Sequence, residues 1–161
     1  MKKALVFILA IAVALSCAGC SKSVVTHVTA MSLSDALERG VTAPGGYREC
    51  EEDFMLVNLG VPAHILKDYR IILARDDMNA NEIGVFRAIS RTEAKEVEKY
   101  CRRYIDAKVS GWNYDYNPDE NVKIENAQIF VMGIYVIYTI LTPDDTDYAR
   151  IVIDNLITVG I

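Results

Sequence analysis

Apolar residues fall along this chain in three rhythms. The first is an unbroken run, ALVFILAIAVAL, at Ala4–Leu15. The second is near-continuous over Glu125–Leu141, ENAQIFVMGIYVIYTIL, where Gly133 divides Ala127–Met132 from Ile134–Leu141. Both pleat faces of each half are apolar: Ile129 and Val131 against Phe130 and Met132, then Val136 and Tyr138 against Ile137 and Leu141. A strand apolar on both faces is covered on both sides. The third rhythm is helical. Ala94, Val97, Cys101, Tyr104 and Ile105 line one face of a helix from Ser90 to about Lys108. Tyr148, Val152, Ile153 and Leu156 do the same for Asp144–Ile157.

Each helix follows a hairpin directly. Tyr69–Ala74 and Glu82–Ile89 read as strands joined by the turn-rich Asp76–Asn81. Ser90 and Glu93 then have the spacing of a capping box. The second hairpin runs into Thr142-Pro143-Asp144-Asp145, where Thr142 caps, Pro143 suits the first helical position and the acids suit the helix dipole. The order is β-β-α-β-β-α. It predicts an α+β fold with a four-stranded, mostly antiparallel sheet, both long helices on one face and short N-terminal helices besides. Those N-terminal helices are expected at Ser32–Arg39 and at about Glu51–Leu59, with a turn at Ala63–Lys67. One sheet face then needs another cover. Two are available: the segment Ser32–Lys67, through Phe54, Leu56 and Leu59, or a second protein.

The first apolar run carries an address. Lys2-Lys3 precede it and SCAGC follows. It is too short for a stable membrane span, which needs about 20 residues, and reads as a secretory signal. Ala18-Gly19-Cys20 resembles a bacterial lipobox, in which the cysteine receives a diacylglyceryl group and palmitate-type acyl chains. Cys17, after Ala14-Leu15-Ser16, is the alternative acceptor. Residues 1–19 are thus expected as signal peptide, 20–31 as tether and 32–161 as a single domain. Two acyl chains suffice to hold a protein on a membrane. The expected location is the outer face of the cytoplasmic membrane. A flexible tether such as Ser21–Met31 would reach about 18 Å.

Composition narrows the function. The 161 residues are 52% hydrophobic and 24% charged, with a formal net charge of -5. Loss of Lys2 and Lys3 with the signal leaves 15 Lys and Arg against 22 Asp and Glu, a net of -7. This argues against a nucleic-acid partner. Asp77-x-Asn79-x-Asn81 and Asp115-x-Asn117-x-Asp119 open like calcium loops. Both lack the glycine at position six and the bidentate acid at position twelve, so they read as turn chemistry and no metal or cofactor is expected. His27 and His64 have no second ligand at suitable spacing. No nucleophile or phosphate-binding motif occurs, so no catalytic residue is assigned.

Trp112, Tyr114 and Tyr116 alternate with Asn113, Asp115 and Asn117. Flat rings beside amides suit carbohydrate or peptide recognition, and equally suit packing over a helix end. Cys50 and Cys101 could pair outside the membrane, while Cys101 on an apolar helix face also fits a small core hydrophobe. The expected function is a non-catalytic, lipid-anchored binding or interaction module whose partner is an envelope protein or a carbohydrate. The alternative is a small envelope hydrolase acting on cell-wall carbohydrate through carboxylates, which needs two converging acids. A transport-linked solute receptor fits less well, since such receptors clamp ligand between two lobes.

Several short segments together resemble one family. They are Gly60–Tyr69 with its GVP and tyrosine, NEIGVF at Asn81–Phe86, the charged helix after it, Tyr116-Asn117-Pro118, Asn126-Ala127 and Gly133-Ile134-Tyr135-Val136. They are similar to domain-of-unknown-function family 4358, small lipoproteins mostly of Gram-positive anaerobes, over about Leu33 to Ile157. The resemblance implies a fold and an envelope location. It implies no activity and no catalytic residue.

Overall fold

A computed structural model describes residues 23–115 and 117–159. Cys17, Cys20, the signal segment and Tyr116 lie outside the described residues. Five strands form the main sheet: β2 (Tyr47–Glu49), β3 (Leu66–Ala74), β4 (Glu82–Ala88), β5 (Gln128–Met132) and β6 (Tyr135–Ile140). Their order is β2-β3-β4-β6-β5 and every neighbouring pair is antiparallel. The sheet therefore has five strands, not four. The extra one, β2, is a short edge strand held by its backbone to the end of β3, with Tyr47 opposite Ala74.

The two long helices lie on opposite faces, which corrects the expected single-sided cover. Ile83 and Val85 of β4 and Tyr135 and Ile137 of β6 point to one face. There they meet α1 (Ala30–Glu38) and the C-terminal helix α5 (Pro143–Ile157), through Leu33, Leu37, Ala149 and Ile153. Phe86, Val136 and Tyr138 point to the other face. They meet α3 (Arg91–Gly111) through Val97, Cys101 and Ile105. The physical reason lies in the central strands. All six residues of β6 are buried, so neither face can be left to water. Each large aliphatic side chain left exposed there would forfeit about 1.5–3 kcal/mol.

The N-terminal segment is also divided between the faces. α1 joins α5, while Met55, Leu59 and Val61 join α3. The stretch expected as a helix over 51–59 begins as one turn, α2 (Glu52–Phe54), and continues in π geometry through Met55–Leu59. Gly60 closes it at φ 74°, a left-handed conformation that favours glycine. An eight-residue helix not expected from the pattern, α4 (Pro118–Glu125), follows α3. α5 is rotated from its expected phase: Thr146, Ala149, Ile153 and Ile157 are buried, whereas Tyr148 and Leu156 are exposed.

Both residues cap their helices, Thr142 at the predicted spacing and Ser90 without the reciprocal amide bonds of a capping box. Ser90 Oγ accepts from the Thr92 amide and donates to the Glu93 carboxylate. Thr142 Oγ1 accepts from the Asp145 amide at 3.2 Å. The end of the expected tether is part of the fold. β1 (Ser23–Val24) pairs with β7 (Thr158–Val159), and α1 starts at Ala30 under a Thr29 cap. Among the described residues no helix is long and apolar enough to cross a membrane.

Candidate functional site

The site begins with an acid in an apolar strand. In Asn81–Phe86, Glu82, Gly84 and Phe86 share one pleat face, and that face packs on α3. Glu82 is fully buried. A buried carboxylate without donors is costly, so its partners define the site. Tyr138 donates its hydroxyl to Glu82 Oε1 at 2.5 Å. Tyr104 donates to Oε2 at 3.1 Å, and the Lys108 ammonium pairs with the same oxygen. Tyr104 and Lys108 are one helical turn apart on α3, so a single face brings hydroxyl and ammonium together.

Gly84 makes this geometry available. It stands opposite Tyr138 across the β4–β6 ladder. A Cβ at Gly84 would lie 2.0 Å from Tyr138 Cε1. The tyrosine ring therefore lies across the glycine and reaches Glu82. Tyr69, Phe86, Tyr138, Tyr104 and Phe54 continue as a chain of ring contacts, with centroids 5.8–6.3 Å apart. Burial and the Glu82 charge push the Tyr138 and Tyr104 hydroxyls above the ordinary tyrosine value.

Above Glu82 a groove of about 170 Å³ opens between the β3–β4 turn and the end of α3. Arg48, Asp76, Asn79, Asn81, Lys108 and Trp112 stand in its walls. Asn81 is buried; its Nδ2 donates to Thr42 O and Tyr47 Oη, while its Oδ1 has no partner among the described residues. Burial lifts the Tyr47 hydroxyl to about 12. A larger cleft of about 490 Å³ lies between β2 and the π turn. Its acids, Glu49, Glu51 and Asp53, are exposed, whereas the walls of the smaller groove hold the buried Glu82 with its donors and the Trp112 ring. The smaller groove is the better-built site despite its size.

The turn expected to resemble a calcium loop is held by the protein itself. Asn79 Oδ1 accepts from the Asn81 amide and from Lys123 Nζ, and Lys123 pairs with Glu120 at 2.7 Å. Glu120 also accepts from the Ala80 amide. A lysine ammonium thus occupies the position beside Asn79 where a cation would bind. Among the described residues no three His, Cys, Asp or Glu side chains gather as metal ligands.

The aromatic candidates separate. Trp112 is half-buried, donates Nε1 to Asn121 Oδ1 at 2.9 Å, packs beside Ile124 and Ile140, and lines the groove. Tyr114 is exposed, and its carbonyl accepts from Asn121 Nδ2. Cys50 and Cys101 are free thiols within the α3-side core. Burial raises Cys50 to about 11 and Cys101 further. His27 and His64 are exposed, far in sequence from any acid gathered here. Sequence reasoning singled out Trp112, which lines the groove, and passed over Glu82. A lone acid on the face of Phe86, with Tyr104 and Lys108 four apart on the facing helix, was the available signal.

The family model described as Domain of unknown function (DUF4358) matches residues 47–141, more than half of the chain. The chain belongs to this family. Neither the curated proteins nor the solved structures give a match. The family 4358 match starts with β2 and ends one residue after β6. It takes in the sheet, α3, α4, Glu82 with its three donors, and the groove. α1 and α5, which cover the opposite face, lie outside it.

Proposed function

We propose that this family 4358 protein is a lipid-anchored, extracytoplasmic binding module, acylated at Cys20, whose ligand site is the groove bounded by Asn81, Lys108 and Trp112. The observation that carries this reading is the groove itself, whose walls set the half-buried Trp112 ring beside the Arg48 and Lys108 side chains. An indole edge beside polar groups suits the mixed surface of a sugar or a short peptide. The volume admits one small polar group of a larger envelope ligand rather than a whole drug-sized molecule.

The same geometry supports binding over hydrolysis. Both oxygens of Glu82, the one fully buried acid among the described residues, are engaged by Tyr138, Tyr104 and Lys108. An acid held this way orients α3 and the groove wall. Titrating the protein with cell-wall sugar fragments and muropeptides, while following Trp112 emission, tests the proposal. A saturable change is expected, weakened at least ten-fold by Arg48→Ala or Trp112→Phe, with the latter read by calorimetry. No saturation with either ligand class up to millimolar concentrations, together with release of reducing sugar from cell wall, would favour the hydrolase instead.

A further inference from the structure

Orientation on the membrane follows from where the chain enters the fold. Ser23 lies opposite Val159 and Val24 opposite Thr158, and the Val25 amide donates to Ile157 O at 3.0 Å. Val24 packs over Gly133 in the β5–β6 turn. Thr26 O accepts from Arg87, Val28 O accepts from Tyr135 Oη, and the Ala30 amide donates to Asp68. From Ser23 onward the chain is therefore fixed to one end of the sheet, where β4 finishes and β5 turns into β6. Only Ser21 and Lys22 separate Cys20 from Ser23. Three residue steps span at most about 10 Å.

The groove lies at the other end. Glu82 opens β4 and Ala88 closes it, and six strand steps cover about 20 Å. Asn117 donates to Met78 O, so the loop after α3 is tied to the β3–β4 turn at that same distant end. The apolar side chains also divide between the two ends. The groove end is of mixed charge, with exposed Asp76, Asp77, Asp115 and Asp119 beside exposed Arg48 and Arg75. Exposed Lys67, Arg91 and Lys95 belong to the end where the chain enters, together with exposed Ile89, Val131 and Leu156. Basic and apolar side chains together are attracted to an anionic lipid surface.

We propose that the end built by β1, β7 and the β5–β6 turn seats on the lipid surface, and that the Trp112 groove opens away from it. This rests on acylation at Cys20. The short leash and the exposed apolar residues at that end give the same orientation independently of what the groove binds.

Trp112 is the single tryptophan of the chain, which makes the test direct. The acylated full-length protein is placed in phosphatidylcholine–phosphatidylglycerol vesicles, with and without lipids bearing a nitroxide on the headgroup. Flotation with the vesicles first reports anchoring. A Trp112→Phe background then carries either Ile89→Trp or Leu156→Trp, both at exposed positions. Each new reporter should be quenched at least three-fold more than native Trp112. Two reporters guard against one variant misfolding. Equal or stronger quenching of Trp112 would overturn the orientation while leaving anchoring intact. Failure of the native protein to float, or unchanged flotation when Cys17 and Cys20 are both replaced by serine, would remove the anchoring and the orientation with it.

Discussion

Lys108 supplies the only formal positive charge on the two oxygens of Glu82 among the described residues, and Lys108→Met tests how the site is held together. The substitution keeps most of the aliphatic stem and removes the ammonium. Glu82 is 0% exposed and Lys108 27%. Breaking a buried ion pair from one side costs about 3–5 kcal/mol. Partial solvent access at Lys108, and the two tyrosine hydroxyls that remain, place this case near ~3 kcal/mol. Glu82→Gln should cost less, about 1–2 kcal/mol, because the lysine can turn toward water and the amide still meets both hydroxyls. The double variant should cost no more than Glu82→Gln alone. The expected coupling is then about 3 kcal/mol. Urea unfolding, followed by Trp112 emission and far-ultraviolet dichroism, would show Lys108→Met losing about 1–2 M in midpoint at an unchanged slope. Additive costs, with a coupling below about 0.5 kcal/mol, would refute the idea that Lys108 balances Glu82.

Two further outcomes follow from the same neighbourhood. Gly84→Ala forces the Tyr138 ring off its seat and away from Glu82, so a loss of about 3 kcal/mol or more is expected in the same unfolding assay, and a loss under about 1 kcal/mol would mean the ring relocates freely. The folded protein holds Tyr47, Tyr104 and Tyr138 protonated beyond the pH at which unfolded tyrosines ionise, near ~10. Their stabilisation is complete below that pH and is lost as pH rises toward the folded values, by about 1.4 kcal/mol per pH unit for each group. Unfolding midpoints should therefore be flat from pH 7 to about 8, begin to fall near ~9 as the buried Cys50 and Cys101 thiols resist ionisation, and fall steeply above about 10, with that steeper fall shallower in Tyr138→Phe.

What the sequence shows of this fold is what local pattern can carry. Each hairpin leads straight to a cap at Ser90 or Thr142, and both caps are formed. The family segments are likewise local, and the family they indicated is the one that matches. The face each helix chooses is not local. Period 3.6 says that α3 and α5 have apolar sides, but β6 is apolar on both of its faces and gives no preference. β2 was hidden because Tyr47-Arg48-Glu49 is short and polar and joins the sheet through its backbone. The helix PDENVKIE was hidden because it buries little beyond Lys123 and Ile124. Trp112 was visible as a candidate by its neighbours in sequence. Glu82 became a site only when Tyr104, Lys108 and Tyr138 arrived from two other elements.

The clasp between β1 and β7 also behaves as a mechanical element. It is two residues long, whereas β3 and β4 are paired over most of their length. Tension at the N-terminus peels the clasp from one end, one hydrogen bond after another, before it loads the sheet. Freeing Ser23–Thr29 lengthens the leash by up to about 25 Å. A pull that would otherwise unfold the domain is spent first on moving it outward. In a single-molecule pulling trace from an N-terminal handle, this release would appear as a short step at lower force than rupture of the sheet.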